Sequence, residues 1–171
     1  MNEFKSALQR ATSDGEFIAA LLQAVAAMMV RADAQIDGFA RASSSAPIAD
    51  LRRMSVEFER HMSVAIELGR IAAQTATASL DALSRARGIA LRDCADSPER
   101  RLLLDACDRT VRTLEVSRQS VRQSNGRIAD AVRTLGAAAR DRDGSPVLAD
   151  EVRAMLARIA TLGPDRCDAG N

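Results

Sequence analysis

Apolar residues recur along this chain at alternating steps of three and four. From Glu16 to about Ala42, the positions Ile18, Leu22, Val25, Met29, Ala32, Ile36 and Phe39 fall on one face of an α-helix. Arg31, Asp33 and Asp37 lie off that face. A run from Pro47 to about Arg87 aligns Leu51, Met54, Phe58, His61, Met62, Ala65, Leu68, Ala72, Thr75, Ser79 and Leu83. A third run, from Pro98 to Ala139 or Arg140, aligns Leu103, Cys107, Thr110, Leu114, Ser117, Val121, Ser124, Ile128, Ala131 and Leu135. That spacing is the seam of a coiled coil, diluted by Thr and Ser. Shorter helices are expected over 2–11 and 146–162, the latter carrying Val147, Leu148, Val152, Met155, Leu156 and Ile159.

The punctuation between these runs is polar. Thr12-Ser13-Asp14-Gly15 interrupts the first pattern, and Ser13 or Asp14 can cap the helix that follows, with Glu16 in its first turn. Ser43-Ser44-Ser45-Ala46-Pro47 reads as a linker, because serines compete for backbone hydrogen bonds and Pro47 disfavours helix at Ala46. Gly88 is a candidate break. Asp96-Ser97-Pro98-Glu99 is a helix start, and Asp141-Arg142-Asp143-Gly144-Ser145-Pro146 is a turn by composition. Gly163-Pro164 ends the last helix, and a tail follows to Asn171. The expectation is one all-α domain over 1–171: long antiparallel helices forming a hairpin or bundle, with coiled-coil character.

Composition sharpens this picture. The 171 residues include 33 Ala and four Phe, with no Trp and no Tyr. Ala is the strongest helix former, and a core without large aromatics must be built from aliphatic and small side chains. The formal net charge is +1, which argues against a dedicated nucleic-acid binder. The third run does carry nine Arg against four acids between Arg100 and Arg140, read as a solvated basic face, with docking on an acidic partner or nucleic acid as the alternative. The segment Phe17–Val30 is the most apolar and reads as a buried bundle helix. Its 14 residues fall short of the roughly 20 that span a bilayer, although contact with a membrane during assembly stays open. The N-terminus lacks the pattern of a cleavable signal peptide.

Candidate chemistry is sparse. His61, the only histidine, falls on an apolar face and has no nearby Lys, which favours a packing role over phosphotransfer. Cys94, Cys107 and Cys167 are odd in number and irregularly spaced, and so read as free thiols rather than a disulfide framework or a metal site. The carboxylate pairs Glu57/Glu59 and Asp105/Asp108 lack a partner that would tune them for acid–base work. No catalytic, metal-binding or cofactor-binding set is assigned, and the chain is read as a non-enzyme. The candidate helix-packing and assembly face is Leu51, Phe58, Met62, Leu68, Gly69, Ala72, Ala76 and Leu83. Its small residues would let a neighbouring helix approach closely.

The stretch APIADLRRMSVEFERHMSVAIELGRIAAQTATASLDALSRAR, residues 46–87, resembles the C-terminal helix of bacterial type III secretion inner-rod proteins. Leu51 and Met54 match that family's leucine positions, and His61 stands where an aromatic is usual. Leu68, Ile71 and Ala72, then Thr75, Leu80, Asp81 and Leu83, follow the rest of its pattern. Ser55 and Arg52 depart from it, and the chain continues for 84 residues past the usual end. Granule-coating phasins share a similar helical pattern around a Pro-containing linker. The resemblance implies a structural or partner-binding component of a secretion system. Its partners would be proteins, either copies of itself or other secretion components, and it would sit in the bacterial cytoplasm or the secretion apparatus. A soluble chaperone or phasin-like accessory protein is the alternative. The cysteine reading predicts three reactive thiols on titration of denatured, unreduced protein; a lower count would reveal a disulfide.

Overall fold

The computed structural model describes residues 2–41, 47–93, 96–140 and 146–162. It is all-α, with four helices: α1 (Asn2–Arg41), α2 (Ile48–Asp93), α3 (Pro98–Arg140) and α4 (Pro146–Thr161). The expected linker at 43–47 falls mostly outside the described residues, as do the turn at 141–145, the tail from 163, Cys94 and Cys167. At the start of α3 the backbone N–H of Arg100 donates to Ser97 Oγ at 3.1 Å, and Arg101 forks onto the Asp96 carboxylate at 3.1 and 2.6 Å. Ser97 therefore caps the helix as its sequence indicates, with Pro98 in the first position, where its missing N–H costs nothing.

Two expected breaks are absent. Thr12–Gly15 is helical, so helices 2–11 and 16–42 are one continuous α1. Each residue of that tetrapeptide has another use: Thr12 Oγ1 donates to Leu8 O at 3.0 Å, Asp14 accepts a hydrogen bond from Ser79 Oγ, and Gly15 faces Leu114. Gly88 does not end α2 at Arg87 either; the helix runs on to Asp93. A single glycine weakens a helix by only about 1 kcal/mol, and Ala90, beyond it, is buried in a core that holds the last turns in place.

Packing gathers the chain into two compact units. The first comprises residues 1–23 and 70–122, from α1, α2 and α3. Its core holds Phe4, Ala11, Ile18, Ala72, Ala76, Leu83, Ala90, Cys107, Leu114 and Val121. Within it α1 and α3 run parallel, with Lys5 paired to Glu99 at 2.5 Å and Gly15 beside Leu114. The second unit comprises residues 24–69 and 123–171 and adds α4. Its core is bulkier, with Val25, Met29, Phe39, Phe58, Met62, Ile128, Leu135, Met155 and Ile159. Here α1 and α2 are antiparallel: Gln35 meets Glu57 and His61, while Gly38 meets Met54. A Cβ on Gly38 would lie 2.7 Å from Met54 Cε, so only glycine fits without moving that methionine.

The helical faces expected from spacing are the buried ones. In α3, one of the two alternating sets, Cys107, Leu114, Val121, Ile128 and Leu135, is fully buried, whereas Leu103, Thr110, Ser117 and Ser124 are half-buried. Phe58 is 0% exposed and Val56, two residues away, is 64% exposed. Phe58→Ala should destabilise the fold by about 3–5 kcal/mol. Val56→Ala should change stability by no more than about 0.5 kcal/mol. Denaturant titration of both variants checks the assignment of the face.

Candidate functional site

The eight residues of the expected assembly face all lie on α2 and all point inward. Leu51, Phe58, Met62, Ala72, Ala76 and Leu83 are at most 4% exposed, Gly69 is buried and Leu68 is half-buried. They fall into both cores: Leu51, Phe58, Met62 and Leu68 pack in the second unit, and Ala72, Ala76 and Leu83 in the first. Gly69 is packed closely enough that an added Cβ would approach Asn125 Oδ1 to 3.4 Å. The structure thus places this face against the chain's own helices. The small side chains serve close approach, as their sizes suggest, but the neighbours are intramolecular.

His61 is half-buried at the α1–α2 contact of the second unit. Its Nδ1 lies 3.0 Å from Gln35 Oε1, and Gln35 Nε2 donates to Glu57 Oε2 at 3.3 Å. Since Oε1 of that amide can only accept, Nδ1 is the donor in this contact. The histidine is thereby oriented by an amide rather than a carboxylate. Cys107 is 0% exposed, and burial pushes its thiol above the usual cysteine range, with Asp108 adding to the effect. A thiol held protonated in this way is a poor nucleophile.

Charge pairs decorate the second unit where α4 docks on α2. Arg52 forks onto Glu151 at 2.7 and 2.6 Å, and Arg158 forks onto Glu59 at 2.7 and 2.9 Å. Hydrogen bonding from these guanidinium groups holds the carboxyls of Glu59 and Glu151 below the usual glutamate range. Along α3 the expected basic face is partly neutralised. Arg101 pairs with Asp96, Arg127 with Asp33 and Arg133 with Asp130. Among the described residues, Arg109, Arg118 and Arg122 form no ion pair.

The surface that residue spacing missed is on α1. Phe17–Val30 was expected to be a buried helix, but burial is confined to one stripe, Ile18, Val25 and Met29. Within Asn2–Phe39 an 18-residue window has mean hydropathy 1.6, enough by length and composition to cross a membrane, yet only 22% of it is buried. Outside the stripe lie Ala19, Ala20, Ala26, Ala27 and Ala34, with Phe17 50% and Val30 66% exposed. The signal was present in the sequence: an amphipathic helix carries polar residues off its core face, whereas between Ile18 and Val30 those exposed positions are mostly alanine, with Gln23 the one polar exception.

The lowered carboxyls give a pH prediction. A depressed folded value means stability that is present above the ordinary glutamate value of 4.5 and is lost as pH falls through the folded one. Attachment of α4 should therefore weaken below about pH 4.5, seen as faster amide exchange at Met155 and Ile159; Arg158→Ala should remove part of that pH dependence. Comparison of the chain with known protein families, with characterised proteins and with solved structures finds no match to any of them.

Proposed function

We propose that the chain is a non-catalytic, partner-binding helical protein that serves a bacterial secretion system as an accessory component. The observation that carries this reading is the outward face of α1 in the second unit, where Ala27, Val30 and Ala34 stay exposed on a helix whose other side is core. Apolar surface left in water is costly, and covering it with a partner helix recovers roughly 25 cal/mol for each Å² removed from solvent. Alanine-rich helix faces permit close backbone approach, so the fitting partner is another helix.

The secretion context rests on the resemblance of residues 46–87 to inner-rod proteins. Of the side chains that carry that pattern, Leu51, Met54, Leu68, Ala72, Leu80 and Leu83 pack in the chain's own cores. That favours the accessory role, a chaperone or phasin-like protein, over a rod subunit that polymerises through the same helix. The hydropathy of the α1 window supports a second reading, in which this face lies on a lipid or granule surface.

Val30→Asp tests the proposal. The residue is 66% exposed, so the fold should lose no more than about 0.5 kcal/mol. Self-association or partner capture, read by light scattering and co-purification with secretion components, should fall sharply while helicity stays intact. Unchanged association would refute the α1 face. Binding of wild-type protein to phospholipid vesicles, lost in the variant, would favour the surface-coating reading.

A further inference from the structure

We infer that residues 2–12 form a helical strap that opens from the first unit while the rest of that unit stays folded. Ser13-Asp14-Gly15-Glu16 is a second helix start lying inside α1. A serine followed three residues later by a glutamate is a capping box, in which the serine oxygen and the glutamate carboxylate satisfy each other's free backbone N–H groups. In the closed structure the helix runs straight through this sequence. Ser13 and Glu16 are exposed there, and among the described residues neither side chain makes a hydrogen bond or ion pair. The box is therefore idle in the closed state and becomes useful only when the helix begins at Asp14. Asp14 marks where the opening stops, because its carboxylate is tied to the buried Ser79 of α2.

The strap itself is lightly held. Phe4 and Ala11 are its fully buried residues, and Leu8 packs at the edge of the core. Its Lys5–Glu99 pair joins side chains that are 49% and 61% exposed, and such pairs contribute little. Thr12 bonds back to Leu8 O, a contact that weakens rather than reinforces a helix. Between the strap and α2 lies an open groove of about 610 Å³, bordered by Phe4, Ala7, Ala82, Ala86, Ile89 and Ala90. Packing on that flank is incomplete. These features place the strap at the low-stability end of the unit.

Opening would uncover the α2–α3 face beneath the strap, which includes Leu83, Ala90 and Cys107. Lys5 is level with Glu99 and Gly15 with Leu114, so Ala11 lies about level with Cys107. That thiol is 0% exposed when the strap is closed and so reports its opening. This device does not depend on the α1 association face.

The experiment measures the rate of alkylation of Cys107 in native full-length protein, with Cys94→Ser and Cys167→Ser leaving it as the single thiol. Ser13→Ala removes the cap of the open state at an exposed position. It should slow labelling about fivefold, since a lost N-cap typically shifts a helix equilibrium by about that factor. Val121→Ala weakens the core of the same unit away from the strap, so it should lower the denaturation midpoint while labelling changes less than about twofold. An unchanged rate in Ser13→Ala, or acceleration in Val121→Ala that follows the loss of global stability, would overturn the inference.

Discussion

The close approach of helices through small side chains is the constraint on which this structure depends. With four Phe and no Trp or Tyr, the chain cannot hold helices apart around bulky rings and still fill the space between them. In the first unit it fills that space with Ala11, Ala72, Ala76 and Ala90 around a few larger residues, Phe4, Ile18, Leu83, Leu114 and Val121. In the second unit, where Phe39, Phe58, Met29, Met62 and Met155 are available, the core is bulkier and a fourth helix is added. Close approach recurs there at Gly38 and Gly69, both hemmed in by a side chain from another helix. Polar exceptions are handled locally. Ser55 returns its hydrogen bond to Leu51 O, and Ser79 gives its own to Asp14. The alternative, an unpaired buried hydroxyl, costs about 1–3 kcal/mol.

This constraint separates what residue spacing reveals from what it conceals. The inward stripes of α1, α2 and α3 were legible because a period of 3.6 residues is imposed by helix geometry itself. The start of α3 was legible because Ser97 and Pro98 act through local hydrogen bonding and a fixed backbone angle. The break expected at Thr12–Gly15 failed for the converse reason. Local propensity amounts to a few kcal/mol across such a tetrapeptide, and the tertiary contacts of Asp14 and Gly15, with the burial of Phe4 and Ala11, outweigh it. A propensity overridden in this way still shapes the molecule, because it sets where the helix yields first.

The candidate site was less legible than the fold. A stripe of small residues such as Gly69, Ala72 and Ala76 signals that a helix comes close, but not whose helix it is. Sequence spacing alone cannot distinguish a neighbour in the same chain from one in another. Packing resolves this for α2, whose face is filled from within. It also shifts attention to α1, where the alanines opposite the core stripe stay in solvent. Charge adds selectivity to this arrangement. The forked pairs Arg52–Glu151 and Arg158–Glu59 seat α4 on α2.

The central claim is that the small-residue face of α2 is interior to the single chain. Ala76→Leu measured on dilute, monomeric protein tests it most directly. Overpacking a fully buried position costs roughly 1–3 kcal/mol, and Ala76 is 0% exposed. The account predicts that chemical denaturation of the variant shifts to lower denaturant by that amount, and that the shift does not change with protein concentration. A monomer as stable as the wild type, with a defect confined to self-association at high concentration, would contradict it and return α2 to the role of an interchain assembly helix.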